Sequence, residues 1–512
     1  MARAAPESVL KTELRRLPLF VIIAGLACVS MMAPALHALV VDDHATAQAF
    51  FYAGVLGTLA CAMIAVAHAG RAPRYGTLGP LLSLFAAFVF VPAMLAVPFV
   101  EALPTTRFIN AYVEMLSALT TTGATLFEDP TRLNPTLHLW RAQVGWMGGL
   151  LMWVAAVAIL APLNLGGFEV TARAEPGRRT DFWNMAQGPT PRARINRAVS
   201  TLFPLYAGLT LLLWVLLMTS GQTPLNAAVH GMSVMATSGI SASGGAQPFG
   251  FAGEAVMVLF MCFALSRLTF SADTMTATQG GLSTDPEFRI GLGIILLVPL
   301  VLFARHFIGS IEVQTSANAG DALAALWGGA FTVISFLTTT GYVSDHWGDA
   351  QSWSGLRTPG LILMGLALVG GGVATTAGGV KLLRVYALYR NGVREMQRLV
   401  HPNAVSGAGV VGRRLQSNGA FIAWIFFMLF ALSFAAVTLA LTFVGVAFDD
   451  ALVMSIATLS TTGPLMDVAS EAPIDLISLG ASAKAILCAA MVLGRLETLA
   501  IIALLTPDLW RA

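Results

Sequence analysis

The feature that most constrains this chain is a succession of long apolar runs. An α-helix needs about 20 apolar residues to cross the hydrocarbon core of a bilayer, and ten stretches of roughly that length occur here. They cover residues 17–41, 50–69, 77–100, 139–163, 198–219, 251–270, 290–308, 358–377, 420–447 and 478–505. Only 11% of the 512 residues are charged, against about 25% in soluble domains. The pattern excludes a water-soluble globular protein and a disordered chain, and predicts ten transmembrane helices.

The basic residues between these runs are distributed unevenly. We place 22 of them on the side of the N-terminus and five on the opposite side, and cytoplasmic loops are the ones enriched in Lys and Arg. The five are Arg107, Arg132, Arg141, Arg357 and Lys484. Both termini are therefore predicted to be cytoplasmic. The net charge of +2 indicates no surface for nucleic acid.

The four cysteines indicate neither a disulfide framework nor a metal site. They lie inside apolar runs without a Cys-x-x-Cys spacing, and are Cys28, Cys61, Cys262 and Cys488. We interpret them as small buried hydrophobes.

Four connections on the outer side resemble one another: 107–140, 220–250, 317–357 and 448–477. Each holds a short apolar segment followed by a Thr/Ser–Gly cluster: AYVEMLSALTTTGAT, AAVHGMSVMATSGIS, GAFTVISFLTTTGYV and ALVMSIATLSTTGPL. Their glycines, Gly123, Gly239, Gly341 and Gly463, are 116, 102 and 122 residues apart. A regular period is a fold-level signal. We predict an all-α polytopic membrane protein with four repeats of span, pore half-helix, filter loop and span, related by pseudo-fourfold symmetry.

These repeats follow an N-terminal helix pair. The predicted boundaries are 1–76 for the helix pair and 77–165, 166–275, 276–400 and 401–512 for the four pore repeats.

The four loops suggest an ion filter. Backbone at membrane depth must be buried in protein or face water, and four loops converging on one axis meet that need by turning their carbonyls inward. Carbonyl rings then replace the hydration shell of a cation, toward which the C-terminal ends of the half-helices point. No carboxylate lies in the Thr–Gly cores, which favours carbonyl coordination over an acidic ring. Ordinary Gly/Thr turns are the alternative, and four equivalent copies disfavour it.

At these residues the sequence resembles the TrkH/KtrB potassium transporters of the Trk/Ktr/HKT superfamily, and is closer to TrkH. The resemblance covers nearly the whole chain. It is carried by SALTTTGAT with LWRAQVGWMGGLLMW, HGMSVMATSGIS, FTVISFLTTTGYVSDHW, STDPEFR, GGVATTAGGVKLLRV and GRLETL. It implies potassium uptake across the bacterial inner membrane.

The resemblance assigns K⁺ coordination to the four filter loops. The residues concerned are Thr121, Thr122, Gly123, Ala124, Thr237, Ser238, Gly239, Ile240, Thr339, Thr340, Gly341, Tyr342, Thr461, Thr462, Gly463 and Pro464. The fourth loop, TTGPL, departs from the family pattern.

The glycine-rich segment 370–379 interrupts an apolar run and ends near Lys381. Glycine costs about 1 kcal/mol relative to Ala in a helix interior, so we predict a break; a helix interface of small residues is the alternative. In the family that the chain resembles, this stretch is an intramembrane gating loop, although VATTAGG is less rich in Gly and Ser than usual. The predicted gating residues are Gly371, Gly372, Thr375, Thr376, Gly378, Gly379, Lys381 and Arg495.

Arg495 lies deep in the last span, where charged side chains are rare and usually face a bundle interior or a wet cavity. The resemblance implies an electrostatic barrier in the pore; the alternative is a structural ion pair with Glu497. Glu114 and His230, on the first two half-helices, are interpreted mainly as helix anchors.

No motif indicates an enzyme or an organic cofactor. Residues 407–412 fit G-x-G-x-x-G, but no strand precedes them, so a dinucleotide site is not predicted. The resemblance implies a homodimer and a separate cytosolic TrkA-like regulatory subunit that binds nucleotide. The basic segments 173–197 and 381–414 are candidate docking surfaces for it, unless they reflect membrane topology alone. Membrane lipid is the remaining partner.

A rival hypothesis is a secondary transporter of another solute, built from inverted repeats. It requires repeats of opposite topology and two broken helices. The four repeats identified here share one orientation, which argues against it.

Overall fold

The computed structural model describes residues 18–68, 79–163, 190–243, 250–266, 285–310, 319–354, 360–400, 417–470 and 472–497. Within these ranges the regular structure is helical and no strand occurs. The predicted all-α class is therefore confirmed.

The N-terminal part and the first two repeats supply nine helices of the described chain. The helix pair consists of α1 Leu19–Ser30, α2 Met32–Val40 and α3 His44–His68. The first repeat consists of α4 Gly79–Ala102, α5 Phe108–Leu119 and α6 Pro135–Ala155, which continues as a π and a 3₁₀ turn to Leu163. The second repeat consists of α7 Pro191–Thr219, α8 Pro224–Ala236 and α9 Gly250–Met261.

The last two repeats follow the same order. The third contains α10 Pro286–Ser310, α11 Ala319–Leu337, α12 Trp347–Ser354, α13 Gly360–Val369 and α14 Leu382–Val400. The fourth contains α15 Ser417–Phe443, α16 Phe448–Leu459, α17 Leu465–Val468 and α18 Ala481–Leu496.

Seven helical segments of the described residues are long and apolar enough to cross a membrane. They are Leu19–Val40, His44–His68, Gly79–Ala102, Pro135–Leu163, Pro191–Thr219, Pro286–Ala304 and Ala420–Phe443, and each coincides with a predicted run. Their outer faces carry exposed apolar side chains, as on α10, where Leu296, Leu297, Leu300 and Val301 are all exposed. Such faces suit contact with lipid.

The other three predicted runs form shorter helices. The run 251–270 is helical only as far as Leu265, and Ser266 has extended backbone. The run 358–377 is helical only through Val369, because glycines follow. The run 478–505 is helical through Leu496, and residues 498–512 lie outside the described chain. The count of ten spans thus remains a prediction.

Several helices begin where a capping side chain precedes a proline. Asn134, Thr190 and Thr223 each accept a hydrogen bond from a backbone N–H of the first turn, and the next residue is proline. This order suits a helix start, because the cap satisfies a free N–H and proline has none to satisfy. It fixes where α6, α7 and α8 enter the bundle.

Four helices, α5, α8, α11 and α16, precede the Thr–Gly loops. Three of them have 12 or 13 residues, about 18–20 Å at 1.5 Å per residue, which is too short to cross a core of about 30 Å. Each packs against the last span of the preceding repeat: α6 contacts α8, α9 contacts α11, α13 contacts α16, and α18 contacts α5. The order of contacts therefore closes into a ring.

The predicted repeat boundaries at 76, 165, 275 and 400 fall outside the described residues or at their edge. The same is true of both termini, of residues 407–412 and of most of the basic segment 173–197. The boundaries and the orientation of the chain stay predictions.

Candidate functional site

The four half-helices end in the same pair of backbone hydrogen bonds. One N–H donates to the carbonyl three residues back: Thr121 to Ala118, Thr237 to Val234, Thr339 to Phe336 and Thr461 to Thr458. The next N–H donates to the carbonyl five residues back: Thr122 to Ser117, Ser238 to Ser233, Thr340 to Ser335 and Thr462 to Ala457. Together these are the bonds of a Schellman helix end. The four sequence repeats therefore share one local geometry.

The left-handed position of each motif is occupied by threonine. Thr121, Thr237, Thr339 and Thr461 have φ of 54°, 51°, 57° and 54°. A β-branched residue in this region is a genuine outlier, and such strain costs about 1–3 kcal/mol per residue. Strain repeated at four equivalent positions is typical of a functional site, where the surrounding packing holds it.

The loop glycines face one another around an axis. A methyl group on Gly123 would collide with the Ser238 carbonyl oxygen of the second loop, and one on Gly239 would collide with the Thr340 carbonyl oxygen of the third. The positive φ of both glycines, 72° and 65°, is a conformation that glycine adopts without strain.

The same order of contacts continues through the remaining loops. A methyl group on Gly341 would press on Pro464 of the fourth loop, and one on Gly463 would collide with the backbone of Ala124 in the first. The structure thus brings all four predicted filter loops together in a closed ring.

The fourth loop departs from the other three. Gly463 lacks the positive φ seen at the other loop glycines, and its N–H donates to the Thr122 carbonyl of the first loop at 2.6 Å. Its carbonyl accepts from the Met466 N–H, which starts the short helix α17. Pro464, which has no N–H and a fixed φ, accompanies this different path.

Cross-loop bonding also joins the second and third loops. The Tyr342 hydroxyl donates to the Ile240 carbonyl at 2.6 Å. Both residues follow their loop glycine by one position. This bond sets the separation of the two loops on their outer side.

Threonine hydroxyls line the inner end of the ring. Thr339 Oγ1 accepts from the Gly378 N–H at 2.7 Å, and Thr237 Oγ1 donates to the Ala236 carbonyl. Thr121 Oγ1 and Thr461 Oγ1 are buried and have no hydrogen-bond partner within the described chain. Buried hydroxyls without partners are costly, so these two oxygens are available to a cation or to water.

Anchors hold the half-helices to the segments that leave the loops. Glu114 accepts from the Leu126 N–H at 2.9 Å and pairs with Arg141 Nε at 2.6 Å. Both charged side chains are buried. Arg141, counted from the sequence among the basic residues of the outer side, therefore forms a buried ion pair. His230 occupies the equivalent position in the second repeat and contacts Gln222 Oε1 at 2.9 Å. The predicted anchoring of these two residues matches the geometry.

The segment after α13 is an irregular loop, not a helix interface of small residues. Positive φ values occur at Gly370 (73°), Ala374 (57°), Gly379 (77°) and Lys381 (84°). Its two ends are joined, since the Val380 N–H donates to Leu368 and the Lys381 N–H donates to Val369. The predicted break in the apolar run is present.

This loop lies against the inner side of the four-loop ring. Besides the bond from Gly378 to Thr339, the Thr376 hydroxyl donates to the Met235 carbonyl at 3.4 Å. A methyl group on Gly378 would collide with the Ser460 carbonyl oxygen and with Thr461 Oγ1. The loop therefore contacts the ends of the second, third and fourth half-helices.

Three cationic side chains hold three carbonyls of the loop. Arg495 Nη1 donates to the Thr376 carbonyl at 2.7 Å. Lys381 Nζ donates to the Ala377 carbonyl. Arg384 Nη1 donates to the Val380 carbonyl at 3.3 Å. On the other side of the loop, Glu287 Oε1 accepts from the Val373 N–H at 3.1 Å. All three cations are buried. Bonds from charged donors are about twice as strong as neutral ones, so the loop is firmly held in place.

The ion pair between Arg495 and Glu497 that the sequence allowed is not formed. Glu497 Oε2 instead pairs with Arg384 Nη2 at 2.6 Å, and the Arg384 guanidinium lies 3.6 Å from the centre of the Phe426 ring. Arg495 keeps Nε and Nη2 buried without a hydrogen-bond partner in the described chain. Among the described residues, its one hydrogen bond is the one to the loop.

The arrangement suits coordination of a partly dehydrated monovalent cation by backbone and hydroxyl oxygens. Within the described ranges, no group of three or more His, Cys, Asp and Glu side chains could hold a metal ion. The oxygens of the ring belong to backbone carbonyls and hydroxyl groups and are neutral. Neutral carbonyl rings are the chemistry of selective monovalent cation pores.

Comparison with known proteins identifies the family. Residues 94–509 match the family model of TrkH, described as a cation transport protein. The chain belongs to the TrkH family. The Trk system potassium uptake protein TrkH of Salmonella typhimurium is 30% identical over 494 residues, which cover 94% of this chain and 96% of the relative.

TrkH of Vibrio parahaemolyticus is 31% identical over 409 residues, covering 79% of this chain and 80% of that protein. The crystal structure of the potassium transporter TrkH from Vibrio parahaemolyticus matches with a TM-score of 0.80 and 27% identity, covering 97% of this chain and 99% of that one. This TrkH-family chain is accordingly a multi-pass membrane protein.

Three acids follow the first and fourth loops of the TrkH-family ring, at the end that the sequence predicts to be its outer mouth: Glu128, Asp129 and Asp467. Asp467 lies on α17, four residues after Gly463, and its side chain is exposed. The surrounding protein, and the carboxylate of Glu128, raise the pKa of Asp467 to about 6. Asp129 differs, because hydrogen bonds from Thr131 lower its pKa.

The four loops of this TrkH-family member could be located from its sequence, but three kinds of residue in and around the site were not predicted. The sequence did not indicate the left-handed threonines, since threonine normally avoids that conformation. It also missed Arg384 as the partner of Glu497 and Glu254 as a buried carboxylate. A charged residue inside an apolar helix, as at Glu254, was the available signal.

Proposed function

We propose that this chain takes up potassium ions across the bacterial inner membrane through the ring of four loops. The observation that carries the proposal is the Schellman end shared by the four half-helices, whose Thr–Gly loops contact one another in a ring around one axis. The C-terminal ends of four half-helices point at that axis, and their partial negative charge favours a cation. The relatives named above are potassium uptake proteins, which supports K⁺ as the ion.

The ion is coordinated by backbone oxygens from among the sixteen filter residues predicted from the sequence. The carbonyls of Thr122, Ile240 and Gly463 instead accept hydrogen bonds within the protein. The free hydroxyls of Thr121 and Thr461 add ligands at the inner end. The four loops are alike in sequence, but the fourth follows a different backbone path, in which the Gly463 N–H donates to the Thr122 carbonyl. The ring is therefore not fully fourfold symmetric.

The loop from Gly370 to Lys381 is the gate beneath the filter, and Arg495 is its electrostatic barrier. Support comes from the contacts between the loop and the half-helix ends, and from the buried guanidinium that bonds to the Thr376 carbonyl. A cation leaving the filter inward meets this positive charge, so conduction requires that the loop and the arginine move or be screened.

The chain acts as a homodimer with a cytosolic TrkA-like nucleotide-binding subunit. This part of the proposal rests on family membership and on the basic residues of α14, Arg390 and Arg394, on the predicted cytoplasmic side. Both termini are placed in the cytoplasm by the distribution of Lys and Arg.

Uptake by cells tests the function directly. A bacterium that lacks its own potassium uptake systems is expected to grow at limiting potassium when it expresses this chain, and to accumulate rubidium in preference to sodium. Absence of growth and of rubidium uptake, with the protein present in the membrane, would contradict the proposal. Uptake of an organic solute by a carrier cycle would support the rival transporter.

Acidification outside the cell is expected to weaken potassium capture. Asp467 is ionised above its pKa of about 6 and neutral below it, so the mouth loses a negative charge as the external pH falls through 6. Local charge raises cation concentration. We expect rubidium uptake at low concentration to fall about two- to threefold between pH 7 and pH 5.

Substitution at the mouth checks this assignment. In Asp467→Asn, uptake should be low and independent of pH over this range. In Glu128→Gln, the midpoint should move to lower pH, because one cause of the raised pKa is removed. Asp129→Asn serves as the control and should keep the wild-type profile, since the pKa of Asp129 already lies below the range. A wild-type profile in Asp467→Asn would remove Asp467 from the capture step.

A further inference from the structure

Glu254 is a buried carboxylate outside the filter and the gate. It lies on α9, the last described helix of the second repeat, and has no exposed surface. A buried carboxylate is destabilising unless hydrogen bonds compensate for the lost water. The identity of its partners therefore indicates its role.

All three partners of this carboxylate belong to the third repeat. Trp327 Nε1 on α11 donates to Oε2 at 2.6 Å, and the Ser344 hydroxyl donates to the same oxygen at 3.0 Å. The Asp345 N–H donates to Oε1 at 2.8 Å. Ser344 and Asp345 follow Gly341 by three and four residues. One side chain of the second repeat thus joins the half-helix of the third repeat to the segment that leaves its filter loop.

A bond in the opposite direction reinforces the contact. Asp345 Oδ2 accepts from the N–H of Gly250, the first residue of α9, at 3.0 Å. A carboxylate is favoured at a helix N-terminus. The Phe251 ring also packs on the Trp327 ring with 4.6 Å between their centres. The two repeats are therefore fixed to each other at this point.

The segment held by Glu254 is continuous with the filter. Tyr342 lies two residues before Ser344, and its hydroxyl bonds to the Ile240 carbonyl of the second loop. A shift of Ser344 or Asp345 moves Tyr342 and changes the separation of the second and third loops. Filter spacing is the property on which discrimination between cations of different radius depends.

In the first repeat, the carboxylate that holds the segment after the filter loop belongs to the same repeat. Glu114 stands nine positions before Gly123 and accepts from the N–H of Leu126, three positions after that glycine. The equivalent residue of the third repeat is Thr332, which accepts from the Ser344 N–H at 3.3 Å and carries no charge. The carboxylate that supports the third loop is instead supplied by the neighbouring repeat.

We propose that Glu254 is a positioning residue for the third filter loop, and through it a determinant of selectivity for K⁺ over Na⁺. The inference rests on the proposed potassium filter. Glu254 does not touch the ion; it acts by holding Ser344 and Asp345, and hence Tyr342.

The test compares rubidium and sodium uptake in Glu254→Gln. An amide has one accepting oxygen and one donating NH₂ group, so it cannot accept all three bonds and turns a donor toward one of the three donors. We expect the rubidium-to-sodium uptake ratio to fall about tenfold, while maximal rubidium uptake per molecule changes far less. Trp327→Phe and Ser344→Ala each remove one donor and should lower the ratio by smaller factors. Glu101→Gln, at an exposed position near the end of α4, is the matched control and should keep the ratio.

Gly123→Ser, measured in parallel, distinguishes a failure of the proposed potassium filter from a failure of the role proposed for Glu254. A wild-type ratio in Glu254→Gln, with the ratio lowered in Gly123→Ser, would overturn the role of Glu254 and leave the filter intact. A purely structural role would reduce the amount of protein in the membrane without changing the ratio. If Glu254→Gln does not reach the membrane, Trp327→Phe and Ser344→Ala provide the test. A lowered rubidium-to-sodium uptake ratio in these two variants supports the proposal, and an unchanged ratio overturns it. Lack of rubidium uptake by the wild-type chain would overturn both the proposed potassium filter and the role of Glu254.

Discussion

Gly123→Ser is expected to abolish most of the discrimination between potassium and sodium. A side chain at this position would collide with the Ser238 carbonyl oxygen, and the residue would have to keep φ at 72°. Both effects displace the first loop and the carbonyl of the second. We expect the rubidium-to-sodium uptake ratio to fall at least about tenfold, which corresponds to ~1.4 kcal/mol.

The control for this variant is Gly208→Ser on α7, where a methyl group meets no other atom within 4 Å. It should leave both the ratio and the amount of membrane protein unchanged. If Gly123→Ser transports with wild-type selectivity, the first loop is not part of the filter.

Arg495→Ala is expected to raise potassium flux in cells without the regulatory partner. Two unit charges about 6 Å apart repel each other by roughly 3 kcal/mol at an effective dielectric constant of about 20, and water in the pore reduces that figure. Removal of the guanidinium also frees the Thr376 carbonyl, which weakens the hold on the loop. We expect rubidium influx to rise roughly tenfold over that of the wild-type chain.

Two further variants isolate the charge. Arg495→Lys keeps a cation in place and should remain close to wild-type flux, whereas Arg197→Ala, an exposed position at the start of α7, should have no effect. A flux in Arg495→Lys as high as in Arg495→Ala would show that packing, not charge, forms the barrier. An unchanged flux in Arg495→Ala would remove this residue from the gate.

Residues whose role depends on neighbours in sequence were predictable. The break at Gly370 follows from the helix penalty of consecutive glycines. The four loops were found because Gly123, Gly239, Gly341 and Gly463 recur in one context. Each of these signals is contained within a few residues of the chain.

Residues whose role depends on distant partners were not predictable. The sequence offered Glu497 only as an alternative ion-pair partner for Arg495, two positions away. It pairs with Arg384, 113 positions away. Residues two positions apart on a helix do not face each other. Here α18 ends at Leu496, and Glu497 has φ of 63°. The direction of its carboxylate is set by that backbone turn.

The sequence by itself determined that this chain crosses a membrane and that four equivalent loops lie between its helices, because bilayer thickness and the cost of unsatisfied backbone act on each segment separately. Only the tertiary structure decided that four threonines adopt a left-handed conformation. It also decided that Gly463 bonds to Thr122 and that Glu254 supports a loop of the next repeat. These features arise where repeats about 100 residues apart meet, and there the packing of the whole ring outweighs the local preference of each residue.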